Sequence, residues 1–301
     1  MFFRNLTFFR FPAKTKFTNL ESALAETALK PVGPMELSSR GFVSPFGRDA
    51  EAMHHRLGDA LWLTVGGEDR LLPSSVVNDE VAKKLAAIEQ KEGRKLGGRA
   101  RKRLKEDVLM ELLPRAFVRP VRLDGQLDAK QGVVAVDTSS RKQAEAWVSE
   151  LRRALGSFPA LPLNPGVAPR SILTGWIAGE PLPTGLVLGE ECELKDALDG
   201  GAVVRCQRQE LQGEEIGKHL ENGKQVTRLA LSLDDKLSFV LGEDLVVRKL
   251  KFLDGAVQEL EADRIEDQRA ELDARFALQS AELARLFALL EKAFELSKAE
   301  A

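Results

Sequence analysis

Residues 224–254, KQVTRLALSLDDKLSFVLGEDLVVRKLKFLD, alternate apolar and polar side chains on either side of Asp234-Asp235 and of Gly242-Glu243. A period of two is typical of strands with one buried face, and Asp and Gly favour tight turns. The stretch therefore predicts an antiparallel meander. Asp234-Asp235 is also conceivable as a metal pair, but a hairpin turn explains the two aspartates more simply.

The segments around this meander mix strands with helices. GAVVRCQRQEL, 201–211, predicts a strand that leads into a short helix closed by Gly223. GVVAVDTSSRKQAEAWVSELRRALGSFP, 132–159, predicts a strand followed by an amphipathic helix that Gly156 ends. Residues 256–298 carry apolar side chains every three or four positions, which predicts a long helix or a helix pair. Because strands and helices do not alternate strictly, the pattern favours an α+β fold.

The N-terminal part of the chain shows the same mixture. NLESALAETAL, 19–29, predicts a helix with Asn19 as its N-cap. ALWLTVGGEDRLLP, 60–73, predicts two short strands around a Gly-Gly turn. Ser75 is the candidate N-cap of the long helix that follows.

Residues 91–117, KEGRKLGGRARKRLKEDVLMELLPRAF, begin with a concentration of positive charge. Positions 91–105 hold eight Lys or Arg residues and one acid. Like charges at helical spacing repel each other, and a polyanion would relieve that repulsion. The alternative is a solvated helix face whose long side chains extend over the core. Gly97 and Gly98 predict a break in the helix, and Pro114 predicts the end of the helix that resumes.

The composition is that of a globular protein. The chain has 301 residues, of which 44% are apolar and 30% charged, and a net charge of −2. No apolar run reaches the roughly 18 to 20 residues of a membrane span, so no membrane partner is expected. The N-terminus lacks the unbroken apolar core of a signal peptide. We therefore expect a cytoplasmic protein in which Cys192 and Cys206 remain thiols.

Motifs for catalysis and cofactor binding are absent from the sequence. It has no GxxxxGK[ST] phosphate loop and no GxSxG nucleophile elbow. His54 and His55 are adjacent and His219 stands alone, whereas a zinc site needs three or four ligands. We therefore expect no catalytic residue, no metal and no cofactor, and a protein that is not an enzyme.

Smaller basic sets accompany the segment 91–105. Arg205 and Arg208 are an odd number of residues apart, so they share a surface only if the chain turns between them. Several basic sets in one chain favour an anionic partner. The sets are Arg115, Arg119 and Arg122 around Phe117; Arg205 and Arg208; and Lys218, Lys224 and Arg228.

Four motifs carry a resemblance to a known family. LLPRAF (112–117), DTSSRKQAEAWVSELRRALGS (137–157), GGAVVRCQRQEL (200–211) and GKQVTRLALSLDDKLSFVL (223–241) resemble the RdgC family of bacterial recombination-associated proteins. The likeness covers essentially the whole chain. It implies a horseshoe-like subunit of antiparallel sheets and helices, closing as a homodimer into a ring that encircles duplex DNA. It also implies DNA binding without sequence preference, single strands included, and antagonism of the recombinase RecA at the nucleoid and replication forks.

The resemblance also assigns residues to roles. Phe117, beside Arg115 in the family's PRAF segment, would form a dimer contact that is the gate of the ring. Gln207 departs from the family, where lysine is frequent, so one positive charge is missing there. The implied DNA-binding residues are Arg94, Arg115, Arg208, Gln209 and Lys224. The expected segments are 1–75, 76–117 (basic arm and gate), 118–160, 161–255 and 256–301, with the proline-rich 158–171 as the candidate linker.

Other functions remain open on the residues alone. A metal-dependent nuclease or other DNA-processing enzyme would need clustered carboxylates, and the sequence shows no convincing cluster. A structural oligomer would carry basic patches that are merely solvated. Phe117 has its own alternative, since it could be a core residue of the same subunit.

Overall fold

The computed structural model describes residues 2–13, 15–47, 50–93, 95–196, 201–257 and 268–299. They form an α+β fold with two antiparallel sheets, as the sequence predicts. The strands are β1 Thr7–Arg10, β2 Ser38–Val43, β3 His54–Leu57, β4 Ala60–Leu71, β5 Phe117–Asp128, β6 Val133–Val136, β7 Leu161–Pro162, β8 Leu186–Asp196, β9 Val203–Gln207, β10 Lys224–Leu233, β11 Leu237–Gly242 and β12 Val247–Phe252. The helices are α1 Leu20–Glu26, α2 Ser74–Glu92, α3 Gly98–Leu112, α4 Arg141–Leu155, α5 Pro169–Ile177, α6 Glu214–Glu221 and α7 Gln268–Ala293, with a 3₁₀ turn at Leu113–Arg115.

Sheet one has the strand order β2-β4-β5-β6-β1-β7, with β3 paired to β4. One of its faces packs against α1 and α4 in a core that includes Phe42, Leu127 and the fully buried Trp147. Gly125 of β5 is needed for this packing, because a Cβ there would lie 2.4 Å from the indole of Trp147. The close approach of helix and sheet thus depends on a glycine.

Sheet two has the strand order β12-β11-β10-β8-β9. Its inner face joins a second core with side chains from α5, α6 and α7, and also from β1 and β6 of sheet one. Phe287 of α7 packs on Phe8 of sheet one, with ring centroids 5.4 Å apart. On the other side, Arg285 of α7 pairs with Asp234 of sheet two. Helix α7 therefore fastens the two sheets together, and the outer face of sheet two is left to solvent.

The meander is confirmed. β10, β11 and β12 are sequential antiparallel neighbours. Asp234 and Asp235 have φ of 49° and 53°, and the Lys236 N–H donates to the Leu233 carbonyl over 2.9 Å. Positive φ at both central residues is what a type I′ hairpin turn requires, so the two aspartates are turn residues.

The turn predicted at Gly66-Gly67 is wrong. Both glycines lie inside the continuous strand β4, between β2 and β5. A Cβ on Gly66 would lie 2.6 Å from a methyl group of Val43 on β2. The glycines therefore serve close packing across strands, which is the other meaning of glycine in a strand.

Several local predictions have mixed outcomes. Asn19 is confirmed as the N-cap residue of α1, where its backbone carbonyl accepts from Ala23 and its side chain makes no cap bond. The Ser75 cap is wrong, because Pro73 is the N-cap of α2 and Ser75 lies inside the helix. The linker prediction is also wrong, because β7 within 158–171 pairs with β1 and Phe158 is buried. The C-terminal helix is confirmed as α7, while residues 258–267 of that prediction lie outside the described residues. Of the helices that the structure describes, none is long and apolar enough to cross a membrane.

Candidate nucleic-acid interface

Helices α2 and α3 form a hairpin, here called the arm, inserted between β4 and β5. They run antiparallel, since Arg101 of α3 lies 3.8 Å from Glu89 of α2 while Lys105 donates to Asn78 further from the tip. Only Val77 of α2 and Val108 of α3 are buried. Neither core contains a described residue of the arm. The arm therefore stands apart from the body of the subunit.

The predicted helix break at Gly97 and Gly98 is confirmed and sets the direction of the arm. α2 ends at Glu92 and α3 begins at Gly98, so the described residues of the base-rich segment 91–105 form the tip. Ion pairs such as Lys84–Glu111 lie toward the root. The hydrogen bond from Lys84 lowers the pKa of Glu111. The tip bases that make no ion pair with any described residue, all exposed, are Lys91, Lys95, Arg99, Lys102, Arg103 and Lys105.

The first turn of α3 adds to the positive potential of the tip. Its sequence, Gly98-Arg99-Ala100-Arg101, contains no acid, and no side chain caps the helix. A helix N-terminus carries a partial positive charge, so cations are unfavourable there and anions are favourable. The tip thus concentrates two unfavourable arrangements that a bound polyanion would relieve.

Phe117 and Arg115 lie where the arm returns to sheet one. α3 ends at Leu112, as Pro114 predicts, and the 3₁₀ turn leads directly into β5. The guanidinium of Arg70 donates to the carbonyls of Leu113 and Ala116, over 3.1 and 3.3 Å, and fixes this turn. Arg115 is exposed, and Phe117 is 84% exposed. The alternative that Phe117 is a core residue of its own subunit is therefore wrong.

The outer face of sheet two is concave, and we call it the concave face. The Lys249 ammonium of β12 lies 2.6 and 2.8 Å from the Glu191 carboxylate of β8, although β11 and β10 lie between these strands. Strands in a flat sheet are about 4.8 Å apart, so three intervals would be too wide for this pair. The pair can form because the sheet curls around its outer face.

Two irregularities at the same level produce this curl. The β8–β10 register shifts between Leu229 and Leu231, and β12 shifts opposite Ser238–Val240. Lys249 has a φ of 52°, which marks the irregularity in β12. Bulges bend a strand and increase its twist, so two of them in one row curve the sheet.

The concave face carries basic residues from distant parts of the sequence. A cavity of about 550 Å³ is lined by Arg208, Lys249 and Lys251, and a smaller one of about 190 Å³ beside it by Arg205, Arg228 and Arg248. β9 ends at Gln207, and Arg208 has a φ of 57°. The chain therefore turns at Arg208, which meets the condition that the sequence set for Arg205 and Arg208 to share a surface.

Most of these bases are neutralised by neighbouring acids. Glu193 accepts from Arg205 over 2.8 Å and lies 3.7 Å from Arg228, and the Arg205 hydrogen bond lowers the pKa of Glu193. Arg208 and Lys251 are exposed and make no ion pair with any described residue. They are thus the bases of the large cavity whose charge is available to a ligand.

The other predicted site residues occupy separate places. Gln209 is half-buried just after Arg208. Lys224 begins β10, where its side chain is 15% exposed and lies 3.7 Å from Asp196. Arg94 lies outside the described residues. The structure thus groups Arg115 with Phe117 on sheet one and Arg208 with Gln209 on sheet two.

Sequence reasoning missed Lys249 and Lys251 as partners of Arg208. The run VRKLKF alternates as any strand does, and nothing in it signals a neighbour on β9. The two lysines meet Arg208 only because β12 and β9 are opposite edges of one curled sheet. Among the residues that the structure describes, no group of three or more His, Cys, Asp or Glu could hold a metal ion.

Comparisons with known proteins bear on this arrangement. A family described as "Putative exonuclease, RdgC" matches residues 1–297. Curated relatives named "Recombination-associated protein RdgC" cover the full length of both chains: one from Xanthomonas campestris pv. campestris (strain B100) is 67% identical over 302 residues, and one from Stenotrophomonas maltophilia (strain R551-3) is 64% identical over 301 residues. The chain therefore belongs to the RdgC family of recombination-associated proteins.

Proposed function

We propose that this protein binds DNA without sequence preference, encircles duplex DNA as a ring-shaped homodimer of horseshoe-like subunits, and restrains RecA-dependent recombination. Its place of action would be the cytoplasmic nucleoid and its replication forks. The name of its relatives, recombination-associated protein, supports a role in DNA metabolism.

The tip of the arm is the observation that carries the proposal. Most of its exposed bases make no ion pair with described residues, Arg101 being the exception, and the uncapped start of α3 adds further positive potential. Phosphate contacts of this kind supply affinity and position, whereas sequence is read by groups that fit base edges in a groove. The exposed tip offers charge on flexible side chains, which favours binding to any sequence.

Phe117 supports the dimeric part of the proposal. An 84% exposed phenylalanine beside an exposed arginine is costly in water and typical of an interface anchor. Arg70 fixes the turn before Phe117, so the phenyl group of Phe117 is already positioned for contact with a partner surface. We take that partner to be a second copy of the chain, meeting at the gate.

The exonuclease in the family's description is the competing function. Hydrolysis of DNA by metal ions requires carboxylates that hold them. The described residues contain no cluster of three or more potential ligands. We propose binding without catalysis. Incubating the protein with linear and circular plasmid in Mg²⁺, with EDTA as control, distinguishes DNA binding from DNA hydrolysis. Shortened or nicked DNA would favour the enzyme.

Salt dependence tests the binding itself. For two unrelated duplexes of equal length, log affinity should fall linearly with log salt, by about 0.9 per phosphate contact, with the same slope for both. A preference of about a thousandfold for one of them at physiological salt would contradict the proposal.

A further inference from the structure

The large cavity of the concave face has a floor of small side chains. Gly189, Ala230, Ser232 and Ser238 line it, and Ser232 faces Ser238 across the β10–β11 ladder. Neither serine hydroxyl makes a hydrogen bond with any described residue. The floor thus offers two hydroxyl donors, with Val240 as the apolar side chain beside Ser238 on the same face.

Two basic side chains without an ion pair to a described residue line the cavity beside these serines. Arg208 enters from the β9 edge and Lys251 from β12, and neither makes an ion pair with a described residue. Lys249 also lines the cavity, but Glu191 neutralises it. The opposing charge comes from Glu190, which is exposed at the same cavity.

The size of the cavity limits what can enter. A volume of about 550 Å³ lies within the range of small-ligand pockets, about 300–1,000 Å³. It admits a short stretch of one polynucleotide strand but not the width of a duplex. Phe239 is the aromatic residue of the lining, and it is 3% exposed. Bases therefore have no platform for stacking here, unlike in many single-strand binders.

We propose that this cavity binds the sugar-phosphate backbone of a single DNA strand. Ser232 and Ser238 donate hydrogen bonds to phosphate oxygens, while Arg208 and Lys251 neutralise the phosphate charge from both sides. The inference deepens the proposed function and rests on it, and it assigns a DNA contact to Lys251, Ser232 and Ser238. Because only the backbone is recognised, the bases make no contribution.

The test compares two ligands on the full-length protein. One is labelled oligodeoxythymidylate, and the other is an abasic deoxyribose-phosphate oligomer of the same length. Both should bind, since the contacts are to phosphates. Lys251→Gln should weaken both by about two- to fivefold, the range of exposed charge pairs. It should also reduce the salt slope by about 0.7, the value for one contact on a single strand.

Matched variants complete the design. Lys195→Gln removes a lysine of β8 that does not line the cavity, and it should change neither affinity nor slope. Glu190→Gln removes the opposing charge and should tighten binding. Ser232→Ala with Ser238→Ala should weaken binding without changing the slope, because no charge is lost.

The outcomes separate this inference from the proposed function. If the protein binds DNA with a salt slope that Lys251→Gln and Arg208→Gln together leave unchanged, the cavity is not a backbone site, although DNA binding stands. Binding of oligodeoxythymidylate without binding of the abasic oligomer also overturns the inference. If the unmodified protein binds neither duplex nor single strand, the proposed function fails and this inference fails with it.

Discussion

Leu71 and Phe117 face each other in the last pair of the β4–β5 ladder, at the root of the arm, where they are 44% and 84% exposed. A cross-strand pair at this position normally contributes to the stability of a sheet. Here both apolar side chains remain largely in water, so the pair contributes little within the subunit. An exposed apolar pair of this kind is typical of a protein–protein contact surface.

Phe117→Ala should therefore leave the fold intact and weaken the dimer. Because the side chain is exposed, the free energy of unfolding should change by no more than about 0.5 kcal/mol. Leu113→Ala is the matched control, since Leu113 is buried in the same turn and its truncation should cost about 2 to 5 kcal/mol. Thermal unfolding and sedimentation velocity check both. A stable dimer of Phe117→Ala would remove this residue from the interface.

Arg208 and Lys224 should contribute unequally to DNA binding. Arg208 has no ion pair with described residues, so Arg208→Ala should flatten the salt slope on single-stranded DNA by about 0.7, the value for one contact. Lys224 is already partly neutralised by Asp196 at 3.7 Å, so Lys224→Ala should weaken binding with a smaller change of slope. Titrations at several salt concentrations measure both quantities. An unchanged slope in the double variant would show that neither side chain contacts phosphate.

Glu193→Gln should tighten DNA binding. The Glu193 carboxylate pairs with the guanidinium groups of Arg205 and Arg228. Neutralising that carboxylate would make the charge of both arginines available to a ligand. Thr227 can still donate to the amide oxygen, so the local hydrogen bond survives. The expected result is about a two- to fivefold gain in affinity and a steeper salt slope. Unchanged affinity and slope would mean that this face does not meet DNA.

The same carboxylate sets a pH effect on stability. The Arg205 hydrogen bond lowers the pKa of Glu193 in the folded state, so its contribution to stability is present above the unfolded pKa. The contribution is lost as the pH falls through the lowered pKa. Because Arg205 is largely exposed and solvent screens the pair, Glu193→Gln should change stability only slightly at neutral pH.

Asp137→Asn should stabilise the protein at neutral pH. Asp137 accepts hydrogen bonds from the backbone N–H groups of Arg4 and Asn5, over 2.8 and 2.9 Å, while burial raises its pKa. A raised pKa means that the ionised form is less favourable in the folded state than in the unfolded chain. Asparagine keeps an acceptor oxygen and carries no charge.

The gain should depend on pH in one direction. It should be present above the raised pKa and should vanish as the pH falls below the unfolded value of about 3.9, where both proteins are neutral at this site. Asp137→Ala is the control, since it loses the oxygen that accepts both hydrogen bonds and should destabilise at every pH. Chemical denaturation at a series of pH values measures the differences. A stability lower than that of the unmodified protein at neutral pH would contradict this account.

Much of the fold could be predicted from sequence because its turns and helix ends depend on the backbone preferences of the residues at those positions. The turn at Asp234-Asp235 and the end of α2 at Gly93, which opens the break before Gly98, both rest on left-handed backbone conformations that particular residues favour. Gly66-Gly67 was misleading because glycine also permits close packing, and only the strand neighbours decide between the two uses.

The concave face could not be predicted from sequence for a physical reason. Its curvature comes from bulges in β8 and β12, and the positive φ of Lys249 has no signature in VRKLKF. The meeting of Arg208 with Lys251 is a property of strand order, which periodicity does not encode. Phe117 differs again, because the apolar residue after a helix gives no sign of whether it faces a core or a partner.

Retention on plasmid DNA tests whether a closed dimer encircles the duplex. Protein loaded at low salt on closed circular plasmid, and on the same plasmid cut once, is washed at high salt, where phosphate contacts are screened. We expect protein to remain on the circle and to slide off the linear DNA, and we expect Phe117→Ala to lower retention on the circle alone. Equal loss from both forms at every salt concentration would contradict encirclement.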